Sequence, residues 1–321
     1  MEINEPEISV VVPFYNEQEN IPKLYERLVK VMGDTGRSYE LVFVNDGSRD
    51  ESGKALDDIF SRDERVQVVH LRSNFGQTAA LAAGFEQAQG EIIISMDGDL
   101  QHLPEEIPLF VEKIDEGYDI VSGWRKRRID SLLVRRIPSR AANWMMARLS
   151  GMKLHDFGTT FKAYRKEVIK NIELYSDFHR FIPALASSMG VDVIEIPITN
   201  VDRESGKSNY GLSRIKKVIF DLLIVKFLIS FLDRPLQIFG LIGLIFAFLG
   251  VLVGGTLSVM YFMDIIEMRE HLGNLMFSVT LTLIGMNFIS LGLLAEISSR
   301  IYFKVHSKKP YSVRRIREHK N

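Results

Sequence analysis

Cysteine is absent from the 321 residues, and neither sign of charge predominates, since the formal net charge is −1. Without cysteine the chain can form neither a disulfide framework nor a thiolate site, and this absence fits a reducing compartment. Without an excess of basic residues the chain lacks the usual signature of nucleic-acid binding, so we expect no nucleic-acid partner. The segment MEINEPEISV contains no basic region followed by an apolar one, so we expect no secretory signal.

Charged residues are also missing from two long stretches, 236–262 and 274–295. A helix needs roughly 20 apolar residues to cross a bilayer. A buried core helix is the alternative for either stretch, but two in tandem favour a membrane hairpin with spans at about 236–262 and 274–297. The small-residue run GVLVGG at 250–255 permits close helix packing within or between subunits, which allows a homo-oligomer.

Basic residues predict the orientation of this hairpin. From Arg300 onward there are eight Lys or Arg residues and one Glu, whereas the loop between the spans carries mainly carboxylates. Because basic residues mark the cytoplasmic side of a membrane, we predict that both termini are cytoplasmic. The basic tail, 301–321, either only sets this topology or also rests on anionic headgroups.

The N-terminal portion alternates β-rich runs with amphipathic helical patterns. We expect strands at 8–13, 39–45, 66–71, 91–96 and 119–122, and helices near 19–32, 52–62, 78–89 and 104–116. This alternation predicts an α/β fold with a mostly parallel sheet covered on both faces. Ligands of such sheets bind beyond the carboxyl ends of the strands. Carboxylates, amides and glycines collect there, in PFYNE at 13–17, NDGS at 45–48, NFG at 74–76 and DGD at 97–99.

The segment 211–232 lies between the soluble part and the first span. Arg214, Lys217 and Asp221 recur at helical spacing among aliphatic residues, which is typical of a helix in the membrane interface. A soluble amphipathic helix is the alternative. The predicted organisation is therefore a soluble domain at 1–210, interfacial helices at 211–232, two membrane helices within 233–300 and the tail at 301–321.

Two carboxylates, Asp97 and Asp99, follow a predicted buried strand in the stretch SMDGDLQH. A polar turn explains them if nothing binds there, because Asp-Gly is a common turn dipeptide. Uncompensated buried charge is costly, however. The pair therefore also fits a site that receives a partner or a metal.

Five motifs together, VVVPFYNEQENI, VFVNDGSRDES, MDGDLQH, SGWRKRR and TTFKAYR, resemble family 2 glycosyltransferases with the GT-A fold, over about 7–210. The closer resemblance is to polyprenyl-phosphate glycosyltransferases: dolichyl-phosphate mannose synthases and bacterial undecaprenyl-phosphate glucosyl- or aminoarabinosyltransferases. The resemblance implies inverting transfer of one hexose from a nucleotide sugar, UDP-glucose being favoured, to undecaprenyl phosphate. It implies a Mg²⁺ or Mn²⁺ cofactor and a cytoplasmic active site on the bacterial inner membrane. GDP-mannose and aminoarabinose donors are the alternatives.

The resemblance also assigns roles to individual residues. The nucleotide sugar is assigned to Pro13, Tyr15, Glu17, Asp46, Asp97, Gln101, Arg203 and Lys207, with Asp46 facing the base. The metal is assigned to Asp99 and Asp97, and the acceptor phosphate to Arg125, Arg135 and Ser139. Asp156 takes the place of the catalytic carboxylate, with Asp99 beside it in the site. A turn residue is the alternative for Asp46, and a solvated basic surface is the alternative for the arginines.

Two other classes of function are weaker matches. A processive polysaccharide synthase carries a Q-x-x-R-W motif and more membrane spans, and neither Trp124 nor Trp144 lies in that motif. A membrane scaffold with an inactive transferase domain would have no need of Asp97, Asp99 and Asp156. The loop Gly158-Thr-Thr-Phe161 departs from the Ser-Gly-Phe that relatives often show after the catalytic Asp.

Overall fold

The computed structural model describes residues 6–126, 154–172, 174, 178–186, 190–199, 201, 235–267, 269–304 and 313–317. The chain divides into two compact units, one of Met1–Val225 with Lys309–Asn321 and one of Lys226–Lys308. The end of the chain, predicted as a separate tail, therefore belongs with the first unit. The predicted interfacial helix at 211–232 lies outside the described residues, and the domain boundaries at 210, 232 and 300 stay predictions.

The first unit begins with the predicted alternation of strands and helices. Its elements are β1 (Ile8–Phe14), α1 (Asn20–Asp34), β2 (Tyr39–Asn45), α2 (Ser52–Phe60), β3 (Val66–Leu71), α3 (Gln77–Gln87), β4 (Ile92–Ser95), α4 (Ile107–Asp115) and β5 (Ile120–Arg125). A 3₁₀ turn, Pro104–Glu106, precedes α4. The expected strands and helices of this region are confirmed, with bounds that shift by a few residues.

Several later elements have no counterpart in the sequence prediction. They are β6 (Lys162–Arg165), α5 (Lys166–Ile169), a 3₁₀ turn at Phe178–Phe181, α6 (Ile182–Ala186), β7 (Val193–Ile198) and β8 (Val313–Arg317). They are short, and few residues leave little periodicity to detect.

The strands form one sheet in the order β7-β5-β6-β4-β1-β2-β3-β8. Strand β1 is parallel to β2 and β4, β2 is parallel to β3, and β5 is parallel to β7. Strands β6 and β8 are antiparallel to their neighbours. The sheet is therefore mixed, with a parallel centre and two antiparallel insertions. Because β6 runs in reverse, its first residue, Lys162, pairs with Ser95 of β4 and Ser122 of β5.

Both faces of the sheet are covered, as the alternation predicts. On one face, residues of β1 and β2 such as Val12 and Phe43 form a cluster with Leu24 of α1 and Phe110 of α4. A second cluster joins residues of β2 and β3 to α3. Burying one such apolar side chain completely stabilises the fold by about 1.5–3 kcal/mol relative to leaving it exposed, so these clusters hold the strand ends in place.

The second unit contains two long helices, α7 (Pro235–Phe262) and α8 (Leu272–Lys304). Their segments Phe239–Phe262 and Leu272–Ser298 are long and apolar enough to cross a membrane, and most of their large apolar side chains are exposed. Glycines allow the helices to approach closely. A Cβ added at Gly250 would overlap Oγ1 of Thr282. The predicted small-residue run therefore serves packing between these two helices.

Candidate active site

The order of the sheet reverses at β1, which has β4 on one side and β2 on the other. Such a switch point opens a crevice at the carboxyl ends of the strands. The loop after β4 packs there against the end of β1, since a Cβ added at Gly98 would overlap the Phe14 ring. Close packing is therefore the reason for glycine between Asp97 and Asp99.

The loops after β1 and β2 are joined by hydrogen bonds. Asn16, whose φ is +55°, donates its backbone N–H to Ser48 Oγ (3.0 Å) and accepts the Arg49 N–H at its Oδ1 (2.8 Å). Glu17 donates its N–H to Ser52 Oγ, and its carboxylate accepts a hydrogen bond from Asn20. Tyr15, directly before Asn16, has an exposed side chain. Three of the residues predicted to contact the nucleotide, Pro13, Tyr15 and Glu17, thus lie at the end of β1 and in the loop that is bonded to the loop after β2.

Asp46 connects the NDGS loop to the loop after β3. Its carboxylate is buried and accepts the backbone N–H groups of Phe75 (2.8 Å) and Gly76 (2.9 Å). Burial raises the pKa of Asp46, and these two hydrogen bonds oppose that rise. Asp46 therefore has a structural role in joining these two loops, as a turn residue would. Each of its carboxylate oxygens has a second lone pair that can accept a further hydrogen bond. The predicted contact between Asp46 and the nucleotide base stays a prediction.

Asp97 and Asp99 lie at the crevice and are held from several sides. Asp97 Oδ1 accepts a hydrogen bond from Gln77 Nε2 (2.5 Å), and Asp99 Oδ1 accepts the Gln101 N–H (3.2 Å). The Asp97 side chain is 26% exposed, so a ligand can reach it. Burial raises the pKa of Asp97, opposed by the nearby Thr160 hydroxyl and by positive charges that include Arg125. A cation shared by Asp97 and Asp99 would offset the cost of burying these carboxylates.

These residues fit a hard cation with few protein ligands. Within the described parts of the chain, no cluster of three or more His, Cys, Asp or Glu side chains could enclose a metal. Mg²⁺ commonly binds through one or two carboxylates together with waters and substrate phosphates. Asp97 and Asp99 supply such a pair at an open crevice, so they suit a cation that also takes ligands from a diphosphate.

His102 supports the backbone of this pair. The imidazole is buried and stacks on Phe161 with ring centroids 5.3 Å apart. Burial lowers the pKa of His102 to about 4, so the ring is neutral at neutral pH. A neutral ring can accept the Asp97 N–H at Nδ1, across a distance of 3.4 Å.

Arg125 and Asp156 form a two-point ion pair. Arg125 ends β5, and its Nε and Nη2 donate to Asp156 Oδ2 (2.8 Å) and Oδ1 (3.1 Å). The Asp156 carboxylate is buried and also accepts the Gly158 N–H at 3.1 Å. The family resemblance assigns these residues to separate roles, Arg125 to acceptor binding and Asp156 to catalysis. The structure brings them into direct contact.

Residues 9–173 match the model of Glycosyl transferase family 2. The chain belongs to this family. It is 38% identical to the dodecaprenyl-phosphate galacturonate synthase of Rhizobium johnstonii, covering 97% of this chain and 93% of that protein. It is also 38% identical to the undecaprenyl-phosphate 4-deoxy-4-formamido-L-arabinose transferase of Edwardsiella ictaluri, covering 96% and 94%. The family and the polyprenyl-phosphate branch predicted from the motifs are confirmed.

The fold of this family 2 glycosyltransferase is also that of solved GT-A enzymes. Glucosyl-3-phosphoglycerate synthase of Mycobacterium tuberculosis, crystallised with Mn²⁺, UDP and glucosyl-3-phosphoglycerate, superposes with a TM-score of 0.53 at 16% identity. The alignment covers 69% of this chain and 79% of that chain. The predicted GT-A fold class is thereby confirmed.

Four assigned residues of the glycosyltransferase lie outside the described residues: Arg135, Ser139, Arg203 and Lys207. Their roles stay predictions. The nearest described position to the last two is Val201, whose N–H donates to the Gln101 carbonyl oxygen at 3.2 Å. The segment that leads to Arg203 is thus joined to the loop that carries Asp99.

Besides His102, three side chains around the site were not assigned from sequence. Gln77 bonds Asp97, and Lys162 and Glu195 bond the loop that carries Asp156. Lys162 and Glu195 are single charges inside the apolar runs FKAY and VIEIPI. A charge in a buried strand is the signal that could have identified them.

Proposed function

We propose that this glycosyltransferase moves one sugar, with inversion at the anomeric carbon, from a nucleotide sugar to polyprenyl phosphate on the cytoplasmic face of a bacterial inner membrane. The supporting observation is that the Asp97–Asp99 pair and the Arg125–Asp156 ion pair share one edge of the sheet. The first pair suits the donor diphosphate, and the second suits an anionic acceptor.

In the proposed reaction an oxygen of the acceptor phosphate forms a bond to the anomeric carbon while the bond from that carbon to the donor diphosphate breaks. The leaving group is the nucleoside diphosphate. A Mg²⁺ or Mn²⁺ ion held by Asp99 and Asp97 would supply Lewis-acid stabilisation of that leaving group. Gln77 and the backbone N–H of Gln101 hold the Asp97 and Asp99 carboxylates in place, so these carboxylates would fix the position of that ion.

Asp156 acts on the acceptor side. A phosphate monoester is already anionic at neutral pH, so Asp156 has no need to remove a proton from it. We propose that Asp156 favours the positive charge that develops at the anomeric carbon. Arg125 keeps Asp156 oriented through two hydrogen bonds, and we propose that its positive charge also attracts the acceptor phosphate.

The donor sugar is proposed from the relatives. The motif resemblance favours UDP-glucose, but the relatives at 38% identity are named for galacturonate and for 4-deoxy-4-formamido-L-arabinose. We therefore place UDP-galacturonate first and UDP-4-deoxy-4-formamido-L-arabinose second, ahead of UDP-glucose.

The test is a donor panel assayed with purified full-length protein, undecaprenyl phosphate and Mg²⁺. The three UDP sugars and GDP-mannose are supplied in turn, and the lipid product is measured by mass spectrometry. We expect UDP-galacturonate to give a rate at least about tenfold above UDP-glucose, the size of effect that one charge-assisted contact supplies. Preference for UDP-glucose would overturn the donor assignment, and no lipid-linked sugar from any donor would overturn the function.

A further inference from the structure

We propose that Glu195 and Lys162 are positioning residues that hold the catalytic loop, residues 155–160, by its backbone from two sides. They act on Asp156 through this loop and touch neither donor nor acceptor. The inference rests on the proposed function for its catalytic consequence, while the geometry of the loop stands independently of it.

Glu195 holds the first half of the catalytic loop. It lies on β7, with a side chain only 7% exposed. Its Oε1 accepts the backbone N–H groups of Asp156 (2.8 Å) and His155 (3.0 Å), and its Oε2 accepts from His155 Nδ1 (2.8 Å). The His155 ring also stacks on Trp124, with centroids 4.4 Å apart and planes 17° apart. The backbone of Asp156 is thus fixed at its own N–H.

Lys162 holds the second half of the same loop. The side chain is fully buried at the start of β6. Its Nζ donates to the carbonyl oxygens of Phe157, at 3.4 Å, and of Thr159. The carbonyl group of the residue after Asp156 is therefore held by an ammonium group, while the N–H of Asp156 is held by a carboxylate.

Glu195 and Lys162 add a second pair of opposite charges near the ion pair of Arg125 and Asp156. Asp156 and Arg125 carry opposite charges, and so do Glu195 and Lys162. Burial lowers the pKa of Lys162 to about 7, and the negative charges of Asp156 and Asp97 oppose that fall. A buried charge is costly unless it is paired, and a turn alone does not require one. Two buried charged side chains that bond the backbone of one short loop indicate that the position of Asp156 is specified closely.

The first experiment measures the loop itself by hydrogen exchange and mass spectrometry on full-length protein. We expect Lys162→Met and Glu195→Gln to raise the exchange rate of peptides covering 154–161 at least about tenfold, since each removes charge-assisted hydrogen bonds. Lys162→Arg, which keeps a charged donor, should show a smaller increase. Should Lys162→Met fail to fold, Glu195→Gln and Lys162→Arg still decide the result.

Matched controls remove hydrogen bonds of a Lys and a Glu at other positions of the first unit. Lys170 donates to the Glu86 carbonyl oxygen (2.7 Å), and Glu40 accepts from Ser9 Oγ and from the Gln89 N–H. Lys170→Met and Glu40→Gln should leave exchange at 154–161 and the rate of sugar transfer unchanged.

The second experiment separates positioning from general stability by kinetics. We expect Lys162→Met to lower kcat at least about tenfold while the donor KM changes less than about threefold, because donor contacts are kept. In the Asp156→Asn background the same substitution should have little further effect, since both act on one group.

The outcomes distinguish the inference from the proposed function. Unchanged exchange at 154–161 in both variants, or losses that multiply in the double variant, would overturn the inference while leaving the transferase assignment in place. If the variants show increased exchange at 154–161 but the wild-type protein transfers no sugar to polyprenyl phosphate, the proposed function is overturned and the positioning of the loop is upheld.

Discussion

Asp97 and Asp99 differ in the groups that surround their carboxylates. Asp97 accepts a hydrogen bond from the Gln77 amide and lies near several positive charges, which would repel a cation bound to Asp97 alone. Asp99 accepts the backbone N–H two residues on, and we expect it to supply the more direct ligand. Asp99→Asn should therefore lower Mg²⁺-dependent transfer roughly ten- to a hundredfold, because a neutral amide loses a charged contact.

The measurement is the transfer rate against Mg²⁺ and Mn²⁺ concentration, with a chelator arm. Asp115→Asn serves as the control, since Asp115 pairs with Arg37 on the surface and should not affect the metal requirement. Full wild-type activity in chelator would remove the metal from the assignment.

The location of a residue in the fold could be predicted where it depends only on the neighbouring residues in the sequence. Asp97 and Asp99 follow a buried apolar run, so their place in the chain is enough to put them at the sheet edge. The partner of Asp156 could not be found this way, because Arg125 is 31 positions distant and nothing in one sequence pairs them. The hydrogen bonds from the Phe75 and Gly76 backbone to Asp46 could not be predicted either, because they depend on the approach of two loops.

Strand β8, close to the end of the chain, forms an edge of the sheet next to β3. It pairs with β3 at four positions. Arg317 Nε donates to Asp57 Oδ1 (2.9 Å), which also accepts from His70 Nε2 (3.2 Å). His70 Nδ1 in turn accepts from Asn45 Nδ2 (3.1 Å), and Asn45 Oδ1 accepts the Ser48 N–H. A chain of hydrogen bonds thus runs from β8 to the NDGS loop.

We expect a chain that ends after Lys308, and so lacks β8, to lose about 2–4 kcal/mol of stability, at about 1 kcal/mol per hydrogen bond. UDP affinity should fall as well, because the NDGS loop loses this support. A chain that ends after Arg317 keeps β8 and is the matched control. The measurements are the thermal unfolding midpoint in detergent and UDP binding by calorimetry. Equal midpoints for the two truncations would contradict a structural role for β8.

Elements were predictable in proportion to their length and apolar content. The central strands β1 to β4 are short apolar runs between turn residues, and the helices between them show a clear period. Strand β8 reads VRRIR, with three basic residues in five, so its sequence is typical of a solvated tail. Its pairing with β3 depends on an edge that forms only when the sheet has folded.

The connection between the two units bears on membrane topology. Residues up to Val225 and strand β8, which follows α8, belong to one unit, so the chain leaves that unit and returns to it. We therefore expect an even number of membrane crossings, and α7 and α8 are two helices long and apolar enough to supply them. The basic residues after Arg300 and the acidic loop between the helices favour a cytoplasmic location for the sheet domain.

The absence of native cysteine allows this topology to be tested with single introduced thiols. We expect a Glu267→Cys variant, in the exposed loop between α7 and α8, to react with a membrane-impermeant maleimide on intact spheroplasts. A Ser61→Cys variant, exposed at the end of α2, should react only after the membrane is permeabilised, because we expect it to face the cytoplasm. The wild-type chain gives the background signal. Labelling of Ser61→Cys alone in intact spheroplasts would reverse the orientation, and with it the proposed cytoplasmic supply of the nucleotide sugar.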